Sequence, residues 1–195
     1  MVVGIGLSAC VSVLPDPKPA DTIYLLRSSV EAVTPRKDAK NFRVDRPTTP
    51  TSLQRDAIIL SPDGNTYQTA GRARWSEPVP ALIQWSFVDE LAGHDEFIGV
   101  LPTSGVRTTH RVHLTVRNFE AQFDHGQTEA PLVVVHYIAT VADASSRNLI
   151  GTFAVKSTRR ADNIAISSIV NATREANQSA LSDIIGWMKT LDLES

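Results

Sequence analysis

The amino-acid sequence predicts a single α+β domain, in which a mixed or antiparallel sheet of about six strands carries two main helices on one face. A strand runs directly into an apolar helix in the stretch between Gly71 and Leu91. Three longer alternating runs follow between residues 110 and 157, and a helical stripe of small residues occupies the C-terminal segment. A chain of 195 residues is long enough for one sizeable core and short for two.

The stretch that organises the rest begins as a strand and continues as a helix. Period-two alternation predicts the strand, with one face formed by Tyr67, Thr69, Gly71, Ala73 and Trp75. Ser76 is placed to cap the helix, Pro78 is tolerated in a first turn, and Glu77 complements the helix dipole. The apolar helix face consists of Val79, Leu82, Ile83, Phe87 and Leu91. Gly93 is a typical residue for the position after a helix end.

Shorter strands surround this junction. Alternation and proline or glycine punctuation predict strands over Thr22–Ser29, Asn41–Arg46, Ala57–Leu60 and Phe97–Leu101. The sequence Asp63-Gly64-Asn65 is a turn signal typical of antiparallel neighbours.

The second half of the chain predicts an antiparallel meander followed by a helix. The strand over His110–Phe123 changes phase, which predicts a β-bulge near Arg117-Asn118. The run Pro131–Ala142 is apolar on both faces and is expected to be central and covered on both sides, with Leu149–Ser157 pairing back onto it. Residues 159–162 are expected to form a solvated break. The final helix buries a stripe made of Ile169, Ala172, Ala176, Ala180, Ile184, Trp187 and Leu191.

Composition excludes several classes of function. Hydrophobic residues make up 42% and charged residues 21%, which is typical of a soluble globular domain. A net charge of −2 argues against a nucleic-acid partner. No apolar run of 18 or more residues is present, so no membrane-spanning helix is predicted.

The N-terminal segment, residues 1–20, differs from the predicted domain, residues 21–195. Leu7-Ser8-Ala9-Cys10 has the pattern of a lipobox, in which Cys10 is lipidated and becomes the mature first residue. A tether with Pro15, Pro17 and Pro19 follows. The alternative is that Cys10 is a small buried apolar residue. Nine residues without a basic side chain precede Cys10, so we expect the sequence to begin inside a longer signal peptide.

Motifs for catalysis and for cofactor or metal binding are not found. The sequence contains no GxGxxG, P-loop, HExxH or CxxC, and no cofactor is predicted. His110 and His113 fall on opposite faces of a strand, so exposed strand histidines are favoured over a metal site. Because Ser, His and Asp are all present, composition alone does not exclude a hydrolytic triad. However, Ser86 lies within a predicted helix and not at a nucleophile elbow. Arginines at 27, 46, 72 and 74 suggest either an anionic ligand or a solvent face, and the second is the commoner arrangement.

Several of these motifs together are similar to one known family. In chain order they are the lipobox Leu7-Ser8-Ala9-Cys10, then Tyr24-Leu25-Leu26, Arg46-Pro47, Arg74-Trp75-Ser76-Glu77-Pro78, Asn118-Phe119-Glu120 and Asn171-Ala172 with Ala176. With them, the sequence resembles the ABC-type transport auxiliary lipoproteins of the paraquat-inducible protein C type, over nearly the whole chain from Cys10 onward. The Arg-Trp-Ser-Glu-Pro motif is the most specific of the set.

The resemblance implies a fold akin to the N-terminal domain of the translocation protein TolB. It implies a non-enzymatic lipoprotein on the periplasmic side of the outer membrane, and the residue Val11 after the cysteine favours that sorting. Its partner would be a mammalian-cell-entry domain protein of an ABC transport system that moves lipids between the two membranes. A homo-oligomer is left open. The alternatives are an outer-membrane lipoprotein that regulates a cell-wall enzyme and a hydrolase.

Two sets of site residues follow from these observations. Cys10 is the expected lipidation site. Arg74, Trp75, Glu77 and Pro78 form a junction expected to be structural or partner-binding. Because Trp75 is in step with Tyr67 and Ala73, we expect it to be largely buried.

Overall fold

The computed structural model of the protein describes residues 20–193. Within them, eight strands form one sheet, accompanied by two α-helices and two short 3-10 helices. The strands are β1 (Thr22–Tyr24), β2 (Lys40–Val44), β3 (Ala57–Ser61), β4 (Gln68–Trp75), β5 (Phe97–Val100), β6 (His110–Gln122), β7 (Leu132–Asp143) and β8 (Leu149–Arg160). The helices are α1 (Val79–Ala92) and α2 (Ile166–Met188), and the 3-10 helices span Thr51–Leu53 and Pro102–Ser104.

The long strand β6 is the centre of the sheet. On one side it pairs antiparallel with β7, which pairs antiparallel with β8, as the predicted meander requires. Its other side is shared: β2 runs parallel to its first residues and β3 parallel to its last ones. The remaining strands extend from these two, in the order β1-β4-β3-β6-β2-β5. The predicted mixed sheet is confirmed, but it has eight strands and not six, because one long strand accommodates two short partners end to end.

Both helices pack on the same face of the sheet, as predicted. On β7 this face carries Tyr137, whose hydroxyl donates a hydrogen bond to Asn177 of α2. Tyr137 pairs with Val116 of β6, and Val116 lies on the same face of that strand as His110. The His110 ring stacks on Phe42, so this face continues onto β2. Gly99, the strand partner of Phe42, faces Leu91 of α1. A single hydrophobic core therefore lies between the sheet and the two helices.

The first strand is shorter than predicted, because the chain leaves the sheet after Tyr24. Residues 25–39 instead cross the helices as a segment that we call the strap. The Val33 amide donates to the Ala92 carbonyl at 2.8 Å, and the Arg36 amide donates to the Asp95 carbonyl at 2.8 Å. The Ser28 hydroxyl donates to Glu90 Oε1 at 2.8 Å. These contacts come from residues more than fifty positions away, so local alternation did not reveal them.

The start and end of α1 also differ from the prediction. Ser76 does not cap the helix, because its amide donates to the Tyr24 carbonyl at 2.8 Å and continues the sheet. Pro78 is the N-cap residue and provides no side-chain hydrogen bond. Gly93 does follow the helix, but its φ of −77° is right-handed. Its role is close approach: a Cβ atom there would lie 2.0 Å from Val30 Cγ1 of the strap.

The meander agrees with the predicted phase. The register between β6 and β7 shifts between Val116 and Asn118, which places the bulge where it was expected. β7 is central, and Val134 on its second face is also buried, but Ile138 on that face is only half-buried. The predicted break at residues 159–162 was placed too early, since β8 continues to Arg160 and Ala161 is buried. The helix stripe is buried as far as Ile184, and α2 ends before Leu191.

Candidate functional site

The most specific sequence motif lies where β4 turns into α1. Trp75 is 2% exposed, and its ring centroid is 6.1 Å from that of Phe119 on β6. Both residues point into the core on the side of the helices. Trp75 therefore fixes the end of β4 against the central strand and is buried as predicted. The predicted common face with Tyr67 is wrong, because the register with β3 shifts along β4 and Tyr67 is 48% exposed.

Backbone hydrogen bonds connect the junction to two other segments. The Trp75 amide donates to the Asp56 carbonyl at 2.7 Å, and the Val79 amide donates to the Arg55 carbonyl at 3.2 Å. The Ser76 amide donates to Tyr24, as described above. The junction is consequently the point at which β1, β4, α1 and the segment before β3 are held together.

The charged residues of the junction lie at its surface. Arg74 Nη1 is 3.0 Å from Asp56 Oδ2, and Arg74 Nε is 3.7 Å from Asp21 Oδ2. The Arg74 side chain is 41% exposed, so these ion pairs contribute little to stability. Glu77 is exposed and Pro78 is half-buried. Arg74, Glu77 and Pro78 are thus available at the surface, whereas Trp75 is not.

A buried carboxylate on the central strand was missed by the sequence reasoning. Glu120 is 4% exposed and lies just after the bulge in β6. Its Oε1 accepts hydrogen bonds from Asn118 Nδ2 at 2.7 Å and Gln122 Nε2 at 3.0 Å, and its Oε2 accepts from the Phe119 amide at 2.9 Å. The spacing of 118, 120 and 122 on one strand face, once the bulge is placed, is the signal that would have found it.

A second buried polar pair joins the meander to α2. Tyr137 Oη donates to Asn177 Oδ1 at 2.6 Å, and both residues are buried. Burial holds the pKa of the Tyr137 hydroxyl well above its ordinary value. Such a pair fixes the height of a helix over a sheet, because neither group can reach water if it is broken.

The histidines form no shared site, and one of them departs from the prediction. His110 is 1% exposed and stacks on Phe42 with 5.1 Å between ring centroids, so it is not an exposed strand histidine. Burial, followed by the charge of Lys40, lowers the pKa of His110. His113 lies on the other face, where its Nε2 is 3.0 Å from Thr48 Oγ1. Between residues 20 and 193, no group of three or more His, Cys, Asp or Glu residues is arranged to hold a metal ion.

The geometry also bears on the hydrolase alternative. Ser86 is 3% exposed inside α1, and its hydroxyl has no hydrogen-bond partner within the described part of the chain. A serine nucleophile requires an adjacent base and access to substrate, and Ser86 has neither. Within residues 20–193, no helix is both long enough and apolar enough to cross a membrane. The predicted lipidation site, Cys10, lies outside the described residues.

Comparison with known families gives one match. The model of a family described as "ABC-type transport auxiliary lipoprotein component" matches residues 24–185. The matched range starts at Tyr24 of β1 and ends at Ile185 of α2, so it covers the whole of the sheet from that point. A search of curated proteins finds no match.

Solved structures share the fold. Protein XCC0632 from Xanthomonas campestris superposes with a TM-score of 0.72 at 17% identity, over 86% of this chain and 94% of that one. A protein described only as uncharacterized gives a TM-score of 0.70 at 12% identity, over 87% and 99%. The hypothetical protein CT253 from Chlamydia trachomatis gives 0.50 at 9% identity, over 77% and 96%. At these identities, the likeness establishes the fold.

Proposed function

The chain belongs to the ABC-type transport auxiliary lipoprotein family, and on that premise we propose that it is a non-enzymatic accessory of a transport system that moves lipids between the inner and outer membranes. The match over residues 24–185 is the observation that carries the proposal. It is supported by the junction at Arg74–Pro78, the most specific of the family-like motifs. Within residues 20–193, the polar clusters around Glu120 and Tyr137 are satisfied internally and serve packing.

The proposed partner is a mammalian-cell-entry domain protein of such a system, together with its permease and ATPase. An accessory of this kind acts by holding its partner in place and needs a stable domain with an accessible surface. Arg74, Glu77 and Pro78 provide an accessible part of the most family-like motif. We assign them to the partner surface and Trp75 to its structural support.

The proposed location is the periplasmic side of the outer membrane, with Cys10 as the anchor. Acyl chains contribute about 0.8 kcal/mol per buried CH₂, and stable anchoring requires more than one chain. Lipidation of Cys10 with two or more chains meets that requirement. Nine residues then lie between the anchor and Ala20, the first described residue.

A homo-oligomer is part of the same proposal. β8 pairs only with β7, so its other edge has no strand partner in the region that the structure covers. Free backbone N–H and C=O groups on an edge strand can pair with the same edge of a second copy. Native mass spectrometry of the detergent-solubilised lipoprotein measures the number of copies, and a monomer at every concentration would remove this part of the proposal.

Affinity purification from the native envelope tests the central proposal. The wild-type chain, tagged at its C-terminus, should co-purify with a permease, an ATPase and a mammalian-cell-entry domain protein. A matched variant, Arg74→Glu/Glu77→Arg, should retain its folding and recover less of these partners, while Arg107→Glu on a distant loop should recover the same amount. Recovery of a cell-wall synthase in place of the transporter would instead support the regulatory alternative.

A further inference from the structure

A groove opens between the sheet edge at β1 and the N-terminal half of α2. Its volume is about 350 Å³. One wall includes Ile23, Leu25 and Arg27, and the other includes Ser167, Val170 and Arg174. β1 pairs only with β4 among the described strands, so nothing in the sheet covers this wall.

The first wall exposes two large apolar side chains. Ile23 is 52% exposed and Leu25 is 43% exposed. Single exposed apolar residues are common on protein surfaces and need no explanation. Here two of them, two positions apart on an extended segment, line the same groove.

The charge of the groove has one sign. Its two charged lining residues are Arg27 and Arg174, and no acidic residue lines it. Arg174 Nη1 donates to Asn171 Oδ1 at 2.9 Å, and neither arginine forms an ion pair with any residue between 20 and 193. Glu175, next to Arg174 in the sequence, is paired with Arg159 at 2.6 Å, and Asp21, two residues before Ile23, faces Arg74. The groove therefore combines apolar and cationic groups in a chain whose net charge is −2.

The position of the groove relative to the predicted anchor suggests its occupant. β1 begins at Thr22, so the groove wall is the first strand after the tether from Cys10. A ten-residue tether in the polyproline form reaches about 31 Å. A protein surface tethered so close to the bilayer meets lipid headgroups at a high effective concentration. Even a weak contact between that surface and the membrane is therefore populated. Interfacial apolar side chains flanked by arginines are the usual means of contacting an anionic membrane surface.

We propose that this groove contacts the anionic phospholipid surface in which Cys10 is anchored. Ile23 and Leu25 enter the interface between headgroups and acyl chains, while Arg27 and Arg174 bind lipid phosphates. The contact orients the domain, with the β1 edge toward the bilayer. This inference rests on the anchoring proposed above, but its own test does not require an acylated protein.

The test measures binding to vesicles by flotation. Every protein is the full chain with Cys10→Ser, so that no acyl chain contributes and the N-terminal segment is the same throughout. Vesicles consist of phosphatidylcholine alone or phosphatidylcholine mixed with phosphatidylglycerol. The variants are Arg27→Gln/Arg174→Gln and Ile23→Ser/Leu25→Ser. The matched controls are Arg107→Gln/Arg117→Gln and Val106→Ser/Leu149→Ser, which change the same chemistry at exposed positions elsewhere.

The arginine variant should bind mixed vesicles about 30-fold more weakly, since a basic residue near an anionic surface contributes about 1 kcal/mol. Its weak binding to pure phosphatidylcholine should not change. The apolar variant should lose binding to mixed vesicles, and both controls should bind as the reference does. Because all substituted side chains are at least partly exposed, thermal unfolding should be unchanged and serves as the check on folding.

Three results would overturn the inference. The first is wild-type binding of the arginine variant to mixed vesicles. The second is an equal loss in the control with Arg107 and Arg117 replaced, which would indicate general charge attraction. The third is displacement from vesicles by free glycerol phosphate, which would indicate a soluble phosphate ligand. The anchoring proposal fails separately, if mass spectrometry of the native protein finds an unmodified Cys10.

Discussion

The hydroxyl of Tyr137 donates a hydrogen bond of 2.6 Å to Oδ1 of Asn177, and this bond connects the middle of β7 with the middle of α2. Both side chains are buried, so each depends on the other for its hydrogen bond. The small residues Ala172, Ala176 and Ala180 on the same helix are also buried. Together they allow α2 to sit close to the sheet at a fixed position.

We expect Asn177→Ala to lower the free energy of unfolding by about 1–3 kcal/mol, because the Tyr137 hydroxyl is then buried without a partner. Adding Tyr137→Phe should recover part of that loss, since the unpaired hydroxyl is removed. Urea denaturation of the two single variants and the double variant measures both effects. Ser182→Ala, at an exposed position of the same helix, is the control. Additive losses in the double variant would contradict the expectation.

Trp75 and Trp85 form a matched pair for testing the junction. Trp75 is 2% exposed and Trp85 is 53% exposed. Trp75→Ala should cost about 3–5 kcal/mol of stability, because it removes a large ring from the core beside Phe119. Trp85→Ala should have little effect on stability. Thermal unfolding followed by circular dichroism compares them, and a Trp75→Ala variant as stable as the wild type would contradict a structural role for this residue.

Gly93 tests the close approach of the strap. Gly93→Ala should destabilise by about 1–3 kcal/mol, because its Cβ would overlap Val30 and force the strap to shift. Val30→Ala in the same chain should relieve part of that loss. Gly186→Ala is the control: it lies within α2 with open space around the added methyl, so it should stabilise by about 0.5–1 kcal/mol. Denaturant unfolding measures the stability of each variant. Equal changes in stability for Gly93→Ala and Gly186→Ala would contradict the close approach of the strap to Gly93.

Glu90 should make stability depend on pH. Burial, partly opposed by the Ser28 hydrogen bond, raises its pKa above the ordinary value of 4.5. The folded state therefore holds the proton on Glu90 more tightly than the unfolded chain does. The stability that this protonation contributes is present below pH 4.5 and is lost as the pH rises through the raised pKa. We expect Glu90→Gln to gain stability relative to the wild type across that range, as measured by urea denaturation at a series of pH values. A difference that stays constant with pH would refute the assignment.

Much of the fold could be predicted because its strands alternate locally. The phase change near Arg117 located the bulge, and the alternation of Ala73 and Trp75 located the inward face of β4. Predictions failed where a distant contact decided the structure. Residues 25–29 alternate like a strand, but Ser28 is held by Glu90 of α1, and Ser76 is held in the sheet by Tyr24.

The polar interior was less predictable than the apolar core. Asn118, Glu120 and Gln122 share one face of β6 by period two, and the bulge before them turns that face away from the helices. His110 is buried because Phe42, from a strand far away in sequence, stacks on it. The groove at β1 depends on the arrival of α2 from the opposite end of the chain. Burial at these positions depends on where the bulge falls and on which distant strand or helix packs there, and alternation alone does not encode either.

The position of β6 has a consequence for how the domain unfolds. In the part of the chain that the structure describes, the pair β2–β5 and the group β1–β4–β3 join the sheet only through one side of β6. The strands β7 and β8 join it through the other side of β6. The groups β2–β5, β1–β4–β3 and β7–β8 therefore separate from one another only when a pairing to β6 is lost. Cooperativity is concentrated in this one strand, so opening of β6 amounts to global unfolding, and its amide protons should be among the slowest to exchange with solvent.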